Sequence, residues 1–226
     1  MPAVNGETLL YAADVGPLND SALFEAALAA VSAERREKTM RYAFRADQNL
    51  SLGAELLLRK ALRDFGLKNY EPSFRTGEHG KPYLVGEEMP FFSLSHAGSW
   101  VLCAVSPNEC GCDIEKIRDI DLNLSRRFFC PGETLAIEQE AGEAQKTDMF
   151  FRLWTLKESY MKATALGMSL PFDAFEISLA GGVPVLLGES AKDYHFEEYG
   201  EIQGYKTALC TTGNGSRAEL NIKDIL

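Results

Sequence analysis

Apolar residues recur at helical spacing in the first third of the chain. Leu23, Phe24, Ala27, Leu28 and Val31 share one helix face, and the polar stretch at 19–21 offers an N-cap before them. A basic segment from about Ser32 to Tyr42 predicts a second helix. An apolar stripe at 50–65 predicts a third, which ends at Gly66 because glycine stops helices readily. The pattern therefore predicts three consecutive helices.

Strand patterns follow these helices. Residues 72–86 are rich in glycine and proline, which predicts a loop. Phe91–Leu94 and Trp100–Val105 have the apolar character of buried strands, joined by a tight turn that contains Ala97 and Gly98. A short acidic strand at 111–115 comes next.

The second half of the chain repeats the order of helices and then strands. We predict helices at 122–129, from Pro131 and at 147–166, then strands at 175–179, 183–187, 194–199 and 205–211. This order predicts an α+β fold of two similar α/β lobes, residues 1–108 and 109–226, related by pseudo-twofold symmetry. We expect the active site at the lobe interface, near a seam at 106–112, because small-ligand sites often form between domains.

Composition and charge narrow the range of partners. The hydrophobic fraction of 46% and the charged fraction of 25% are those of an ordinary globular protein. The net charge of −10 argues against binding to nucleic acid or to an anionic membrane, and no apolar run reaches the roughly 20 residues of a membrane span. The five cysteines lack metal-binding spacing and the chain start lacks a signal-peptide pattern, so we predict reduced thiols in a cytoplasmic protein.

Three carboxylates and an ammonium suggest a site that handles a pyrophosphate. Asp113 and Glu115 lie two apart on the acidic strand, so their side chains point the same way. Glu158 and Lys162 lie one helical turn apart on a common face, whereas Lys157 is turned away by about 100°. Hard oxygen ligands suit Mg²⁺, which shares its coordination with substrate phosphates. A neighbouring lysine can neutralise charge on a leaving group.

Further basic groups are placed where a polyanion could meet them. His96 follows Ser95 at a strand end, Lys81 stands in a rigid Gly-Lys-Pro loop, and basic residues concentrate at 35–45 and 116–127. Each feature also has an ordinary interpretation: a structural histidine, solvated helix faces, the polar side of an edge strand, or a surface ion pair. Taken one at a time, these features therefore do not establish a functional site.

Four motifs stand in order along the chain: Gly80-Lys81-Pro82, Phe-Ser-Leu-Ser-His-Ala-Gly at 92–98, Gly-Cys-Asp-Ile-Glu at 111–115 and Trp-Thr-Leu-Lys-Glu-Ser-Tyr-Met-Lys at 154–162. Together they resemble the motifs of the 4′-phosphopantetheinyl transferases of the surfactin-synthetase-activating type. They come in the family's order at compatible spacings, over nearly the whole chain. The resemblance implies transfer of the phosphopantetheine arm of coenzyme A to a carrier-protein serine, with Mg²⁺ or Mn²⁺, releasing 3′,5′-ADP.

The resemblance also implies a role for individual residues. Asp113, Glu115 and Glu158 match the metal ligands, and Glu158, or a water that it orients, matches the general base on the carrier serine. Lys162 matches the contact to the pyrophosphate. The other positions that match coenzyme A contacts are Lys81, Ser95 and His96, together with Arg35, Lys38 and Ser51 near the adenosine 3′-phosphate.

One position departs from the family pattern. The family continues after the lysine as KxxGxG, and Ala165 stands at the first glycine here. Because alanine is compatible with a helix, we expect a slightly longer helix at this point, with activity retained.

The carrier protein poses a problem of charge. Carriers of this kind are usually acidic, as is this chain, so recognition needs an apolar patch with local cations. We expect a monomeric enzyme that docks its carrier near Arg126, Arg127, Phe128 and Phe129; the alternative is that both phenylalanines belong to the core. Further possible apolar anchors are Leu122, Leu124, Leu135 and Ile137.

Two other functions remain open at this point. A catalytically silent coenzyme A-binding regulator is disfavoured by the presence of all three acids and Lys162. A different Mg²⁺-dependent enzyme acting on a phosphoryl or pyrophosphate group would leave Lys81, His96 and the basic helix without a shared purpose.

Overall fold

Helices and strands alternate in blocks along the chain. The computed structural model describes residues 6–188, 193–213 and 218–225. Its α-helices are α1 (Ser21–Ala30), α2 (Ala33–Met40), α3 (Arg45–Phe65), α4 (Ser125–Phe128), α5 (Pro131–Glu138) and α6 (Glu143–Ala163). Its strands are β1 (Leu9–Asp14), β2 (Phe74–Thr76), β3 (Pro82–Leu84), β4 (Phe91–Ala97), β5 (Trp100–Ser106), β6 (Cys110–Lys116), β7 (Ile177–Ser178), β8 (Val185–Leu186), β9 (Tyr194–Tyr199), β10 (Tyr205–Thr212) and β11 (Leu220–Ile222).

Local side-chain chemistry sets the ends of the first helices. The Asp20 carboxylate caps α1 by accepting hydrogen bonds from two backbone N–H groups of the first turn. The Ser32 hydroxyl caps α2 by accepting from the backbone N–H of Arg35 at 3.1 Å. Gly66 ends α3 with φ of 120°, in a region that glycine adopts most easily. The three predicted N-terminal helices are therefore confirmed.

The first sheet has the strand order β11–β1–β5–β4. β1 is antiparallel to β5, and β4 and β5 form a hairpin. β11 joins β1 in parallel, with Leu10 opposite Leu220. Helix α3 covers one face of this sheet, where Leu58, Leu62 and Phe65 are buried against the strands. The sequence pattern predicts neither β1 nor β11. β11 has only three residues, and the pairing of these two strands joins segments from the two ends of the chain.

The second sheet has the order β6–β10–β9 and is antiparallel throughout. Helix α6 packs on it through Leu156, Tyr160 and Ala163, which lie in one cluster with Ala208 and Cys210. The β7–β8 hairpin extends the same cluster. The strand predictions at 194–199 and 205–211 are confirmed, the second to within one residue.

The two sheets pack on each other through a third, mostly aliphatic cluster. The first sheet contributes Leu10, Ala12, Leu102 and Ala104, and the second contributes Cys110, Cys112, Ile114 and Leu209. The chain is therefore a mixed α/β protein. Because β11 returns the chain to the first sheet, a division at residue 108 does not separate the two sheets completely. The two-lobe symmetry stays a prediction.

Several predicted bounds are wrong. The predicted loop at 72–86 contains the β2–β3 hairpin. The predicted helix at 122–129 is a 3₁₀ turn followed by the four-residue α4. Helix α6 begins and ends earlier than the predicted 147–166, and β7 and β8 have two residues each where five were expected.

Two compositional predictions can be compared with the described residues. All five cysteines are buried and free, as expected for reduced thiols. Within the described segments, every helix is too short or too polar to span a bilayer. The signal-peptide argument rested on residues 1–7, of which residues 1–5 lie outside the described part of the chain.

Candidate active site

Helix α6 lies very close to strand β6, and Gly111 permits this approach. A Cβ atom added at Gly111 would overlap the carbonyl oxygen of Ser159 and the amide nitrogen of Ala163, and it would lie 2.8 Å from the Cβ of Lys162. Only a residue without a side chain leaves room for this packing. The contact therefore fixes how far Glu158 and Lys162 stand from the strand.

Side chains on β6 alternate between two environments. Cys112 and Ile114 are buried in the cluster between the sheets. Asp113 and Glu115 lie on the opposite face, which is the face that Gly111 turns toward α6. The strand thus presents both predicted carboxylates to the helix that carries Glu158 and Lys162.

Asp113 is the centre of a hydrogen-bond network between three elements. Its residue is only 3% exposed. The Lys162 ammonium on α6 donates to Asp113 Oδ1 at 2.7 Å, to Ser95 Oγ at 3.0 Å and to the Cys112 carbonyl at 3.2 Å. The Ser95 hydroxyl on β4 donates to the same Oδ1 at 2.7 Å. Burial acts to lower the pKa of Lys162, but the Asp113 carboxylate outweighs it and raises that pKa, so the ammonium stays charged.

The other two acids lie within electrostatic range of Asp113. Burial raises the pKa of Glu158, the charges of Asp113 and Glu115 raise it further, and Lys162 opposes them. Burial and the charge of Asp113 likewise raise the pKa of Glu115, against the Arg118 guanidinium, which lies 3.5 Å from Oε2. Repulsion between carboxylates of this kind is expected where several acids share one place.

The acids do not form a ready-made metal cluster as they stand. Among the described residues, no three aspartate, glutamate, histidine or cysteine side chains lie close enough together to hold an ion. The Lys162 ammonium, rather than a second carboxylate, lies against Asp113 Oδ1. The second oxygen, Asp113 Oδ2, is buried and has no hydrogen-bond partner in the described structure.

His96 follows Ser95 on β4 and is exposed at the edge of this network. Desolvation of its ring and the charge of Lys162 lower its pKa, while Asp47 and Asp113 oppose them. The ring is therefore expected to be neutral near pH 7. The structure thus brings His96 within electrostatic reach of Lys162 and Asp113, as the sequence motif suggests.

Lys81 lies beside the same end of α6. Its ammonium donates to Glu109 Oε2 at 2.6 Å and to the Cys110 carbonyl at 3.1 Å. With Lys162 it lines a cavity of about 340 Å³. The remaining wall is largely apolar and includes Pro82, Phe92, Leu94, Met161, Ala165 and Met168.

A second cavity lies beside the basic helix α2. Arg35 and Lys38, one turn apart, line this space of about 280 Å³. Its apolar lining comes from Pro72, Phe74, Pro82, Phe92 and Leu94. Ser51 lies apart from it, because its hydroxyl is buried 2.8 Å from the Thr39 hydroxyl between α2 and α3. Two of the three residues predicted near the adenosine 3′-phosphate therefore share a cavity, and the third is part of the helix packing.

The predicted carrier-docking segment is divided between surface and core. Phe129 is 4% exposed and packs with Phe150 and Trp154, so it is a core residue and is not available as a docking contact. Arg126 is exposed and paired with Glu138, and Arg127 is exposed above the Phe128 ring. Among the further anchors, Ile137 is also buried, whereas Leu135 is half exposed.

The expected extension of helix α6 at Ala165 is wrong. The helix ends at Ala163, and Ala165 adopts φ of 60°, in the left-handed region that glycine occupies without strain. Ala165 therefore stands in a backbone conformation that suits the glycine of the family pattern better than it suits alanine. The turn after α6, rather than the helix propensity of alanine, therefore determines the backbone conformation at this position.

Three buried or partly buried acids were missed as parts of the site's surroundings. Glu109 holds Lys81, and Glu55 holds Arg35 at 3.1 Å. Glu133 accepts from the fully buried Lys157 at 2.6 and 2.8 Å. All three partners are 20 or more residues distant in sequence, so no local pattern indicates these pairs.

Comparison with known proteins agrees with the motifs. The family model described as the 4′-phosphopantetheinyl transferase superfamily matches residues 109–210, and that described as 4′-phosphopantetheinyl transferase, N-terminal, matches residues 18–108. A 4′-phosphopantetheinyl transferase of Bacillus subtilis is 36% identical over 186 residues, which are 81% of this chain and 83% of that protein. The transferase Sfp of Bacillus subtilis strain 168 is 35% identical, over 80% of this chain and 81% of Sfp. The transferase gsp of Aneurinibacillus migulanus is also 35% identical, over 80% and 76% respectively. The chain therefore belongs to the 4′-phosphopantetheinyl transferase family and is of the Sfp type.

Proposed function

We propose that this chain transfers the 4′-phosphopantetheine arm of coenzyme A to a serine hydroxyl of an apo carrier protein and releases 3′,5′-ADP. Its relatives are named for this transferase activity. The observation that carries the proposal is the convergence of Lys162, Ser95 and Asp113, from three different elements, beside the half-buried Glu158.

Glu158 is assigned as the general base. The reaction forms a bond between the serine oxygen and the phosphorus that bears the pantetheine arm, and it breaks the bond from that phosphorus to the oxygen of 3′,5′-ADP. The serine hydroxyl loses its proton during the attack. The half-buried Glu158 carboxylate, on the same face of α6 as Lys162, is the group that we assign to accept this proton. A positioned base typically contributes ~10²–10⁴-fold in rate.

Lys162 is assigned to the departing phosphate, on which negative charge builds up. Its ammonium stays charged beside Asp113 and is held by Ser95 and the Cys112 carbonyl. A donor that is oriented in advance stabilises developing charge without reorganising during the reaction. Ser95 and His96 are the further contacts that we assign to the pyrophosphate.

Asp113, Glu115 and Glu158 are the residues that would hold Mg²⁺ or Mn²⁺. Their oxygen donors are of the type that these ions prefer. The buried, unpartnered Oδ2 of Asp113 is an oxygen ligand that a cation would satisfy. Burial and, after it, repulsion between the carboxylates raise the pKa of Glu115 and Glu158, and a cation would relieve the repulsion. When bound, such an ion neutralises and polarises the pyrophosphate.

We assign the two cavities to coenzyme A. They share Pro82, Phe92 and Leu94 in their walls and are therefore neighbours, and we propose that one long ligand occupies both. Arg35 and Lys38 are assigned to the adenosine 3′-phosphate, and Lys81 with Lys162 to the region of the pyrophosphate. In this arrangement the active site lies between the first sheet, which supplies β4, and the second, which supplies β6.

The carrier protein is proposed to dock on the exposed part of the segment after β6. Arg126 and Arg127 are exposed cations close in sequence to Glu115, and Phe128 is partly exposed. These residues provide the local positive charge that an acidic partner needs on an enzyme of net charge −10. We further propose that the enzyme acts as a monomer in the cytoplasm.

One incubation tests the proposed function against both alternatives. The purified protein is mixed with coenzyme A, Mg²⁺ and an apo carrier, and the carrier is weighed by mass spectrometry. The expected result is a carrier heavier by one phosphopantetheine arm, with no change in a carrier whose serine is replaced by alanine or when a chelator removes the metal. A silent regulator would bind coenzyme A and leave the carrier unchanged. A hydrolase would consume coenzyme A without modifying the carrier, and either result would contradict the proposal.

A further inference from the structure

Arg35 is anchored by a buried carboxylate that the functional assignments above do not include. Glu55 on α3 is 3% exposed, and its Oε2 accepts a hydrogen bond from Arg35 Nε at 3.1 Å. Glu55 lines the same cavity as Arg35 and Lys38. A buried carboxylate beside the proposed phosphate site is unexpected, because its negative charge opposes the binding of a phosphate.

The Glu55 carboxylate is itself rigidly held. Its Oε1 accepts from the backbone N–H of Ser32 at 2.7 Å and from Arg59 Nε at 3.0 Å. Its Oε2 accepts from the Ser32 hydroxyl at 3.1 Å as well as from Arg35. Burial acts to raise the pKa of Glu55, but these hydrogen bonds outweigh it and lower that pKa, so the group is ionised at neutral pH. The carboxylate is thereby tied to the start of α2.

The two arginines that bind Glu55, Arg35 and Arg59, differ in their other contacts. Arg59 also pairs with Glu71, at 2.7 Å through Nη1. Arg35 is held through Nε, and in the described parts of the chain neither of its Nη groups has a hydrogen-bond partner. A guanidinium has five N–H donors, so the four on the Nη groups remain available to a ligand in the cavity that Arg35 lines.

We propose that Glu55 is a positioning residue for recognition of the phosphate at the adenosine end of coenzyme A. Glu55 fixes the Arg35 guanidinium by its Nε and leaves both Nη groups for a paired contact with phosphate oxygens, with Lys38 beside them. Two parallel N–H···O bonds to one phosphate need a planar group in a defined orientation. The inference rests on the proposed function, because that function supplies the phosphate.

The test compares two phosphopantetheine substrates that differ only in the 3′-phosphate. We take the ratio of kcat/KM for coenzyme A to that for 3′-dephospho-coenzyme A, in the wild type, Glu55→Asp, Arg35→Gln and the double variant. Glu55→Asp keeps the charge but withdraws the carboxylate from Arg35. We expect the ratio to fall by about tenfold, which corresponds to the loss of roughly one hydrogen bond to a charged group. Arg35→Gln should lower it at least as much, and the double variant should lower it no further than Arg35→Gln alone.

Two results would overturn the proposal. The first is an unchanged ratio in Glu55→Asp, with both donors affected equally, which would make Glu55 part of the fold alone. The second is a further fall when Glu55→Asp is added to Arg35→Gln, because Glu55 would then act without Arg35. Glu37→Gln, an exposed charge change on α2, is the matched control and should leave the ratio unchanged.

Two additions keep the test decisive. Should Glu55→Asp not fold, Glu55→Met, which has a similar volume and no acceptor oxygen, is measured instead. The ratio falls if Glu55 orients Arg35, and it rises if the carboxylate acts only as a negative charge. Calorimetric binding of 3′,5′-ADP against 5′-AMP repeats the comparison without turnover. It therefore tests Glu55 even if the wild type fails to modify a carrier, a failure that would count against the proposed function alone.

Discussion

Replacement of Gly111 by alanine should separate the two halves of the active site. The added methyl would overlap backbone atoms of Ser159 and Ala163, which cannot rotate away as the end of a side chain can. Helix α6 must therefore retreat from β6, carrying Glu158 and Lys162 away from Asp113.

The overlap at Gly111 sets the expected displacement of α6 and, with it, the losses of rate and stability. Carbon and its neighbours pack at about 3.5–4 Å, so the helix has to move by an amount on the order of 1 Å, and a misplacement of this size costs about 100-fold in rate. Overpacking of a core typically costs about 1–3 kcal/mol. For a chain of this length that lowers the Tm by roughly 2–12 °C.

The assay is carrier modification at a temperature well below the Tm of the variant, with folding checked by circular dichroism. Gly200→Ala is the matched control, because a Cβ at that exposed glycine meets no atom within 4 Å. We expect Gly200→Ala to match the wild type and Gly111→Ala to be folded with kcat down by about 100-fold. A folded Gly111→Ala variant with wild-type kcat would show that the close approach of α6 does not matter for catalysis.

Three further predictions concern other parts of the chain. Ala165→Gly should raise stability by roughly 1 kcal/mol and Tm by about 2–4 °C, because it removes a left-handed alanine; a lower Tm would contradict this explanation. Lys157→Met should lower the free energy of unfolding by about 3–5 kcal/mol, because it leaves the buried Glu133 carboxylate without its cation. Lys146→Met, which breaks an ion pair at the surface, should lower it by only about 0–1 kcal/mol. Urea titration measures both values, and equal losses would contradict this difference between buried and surface pairs. Arg127→Glu should raise the KM for the carrier and leave that for coenzyme A unchanged, and an equal rise in both would move the docking surface elsewhere.

The local patterns predicted the elements of the site well. Alternation along a strand put Asp113 and Glu115 on one face, and helical periodicity put Glu158 and Lys162 on another. Both follow from backbone geometry over a few residues, so a single sequence suffices. The motif order then indicated that these two segments belong together.

Local sequence patterns could not predict the contacts between segments that are distant in the chain. The bond from Lys162 to Ser95 joins residues 67 apart, and the pairing of β1 with β11 joins the ends of the chain. Ala165 shows a different limit: its helix propensity, only about 1 kcal/mol better than that of glycine, does not extend the helix against the turn that follows. Phe129 was ambiguous because an apolar residue after two arginines suits a docking surface and a core equally.

The most direct measurement is the turnover of Glu158→Gln with coenzyme A, Mg²⁺ and an apo carrier, beside the wild type. Glutamine keeps the shape of the side chain and removes the basic oxygen, so the variant is expected to fold normally and to modify the carrier at least about 100-fold more slowly. Wild-type turnover by the folded variant would contradict the assignment of Glu158, and with it the central claim that the acids of β6 and α6 carry out the transfer.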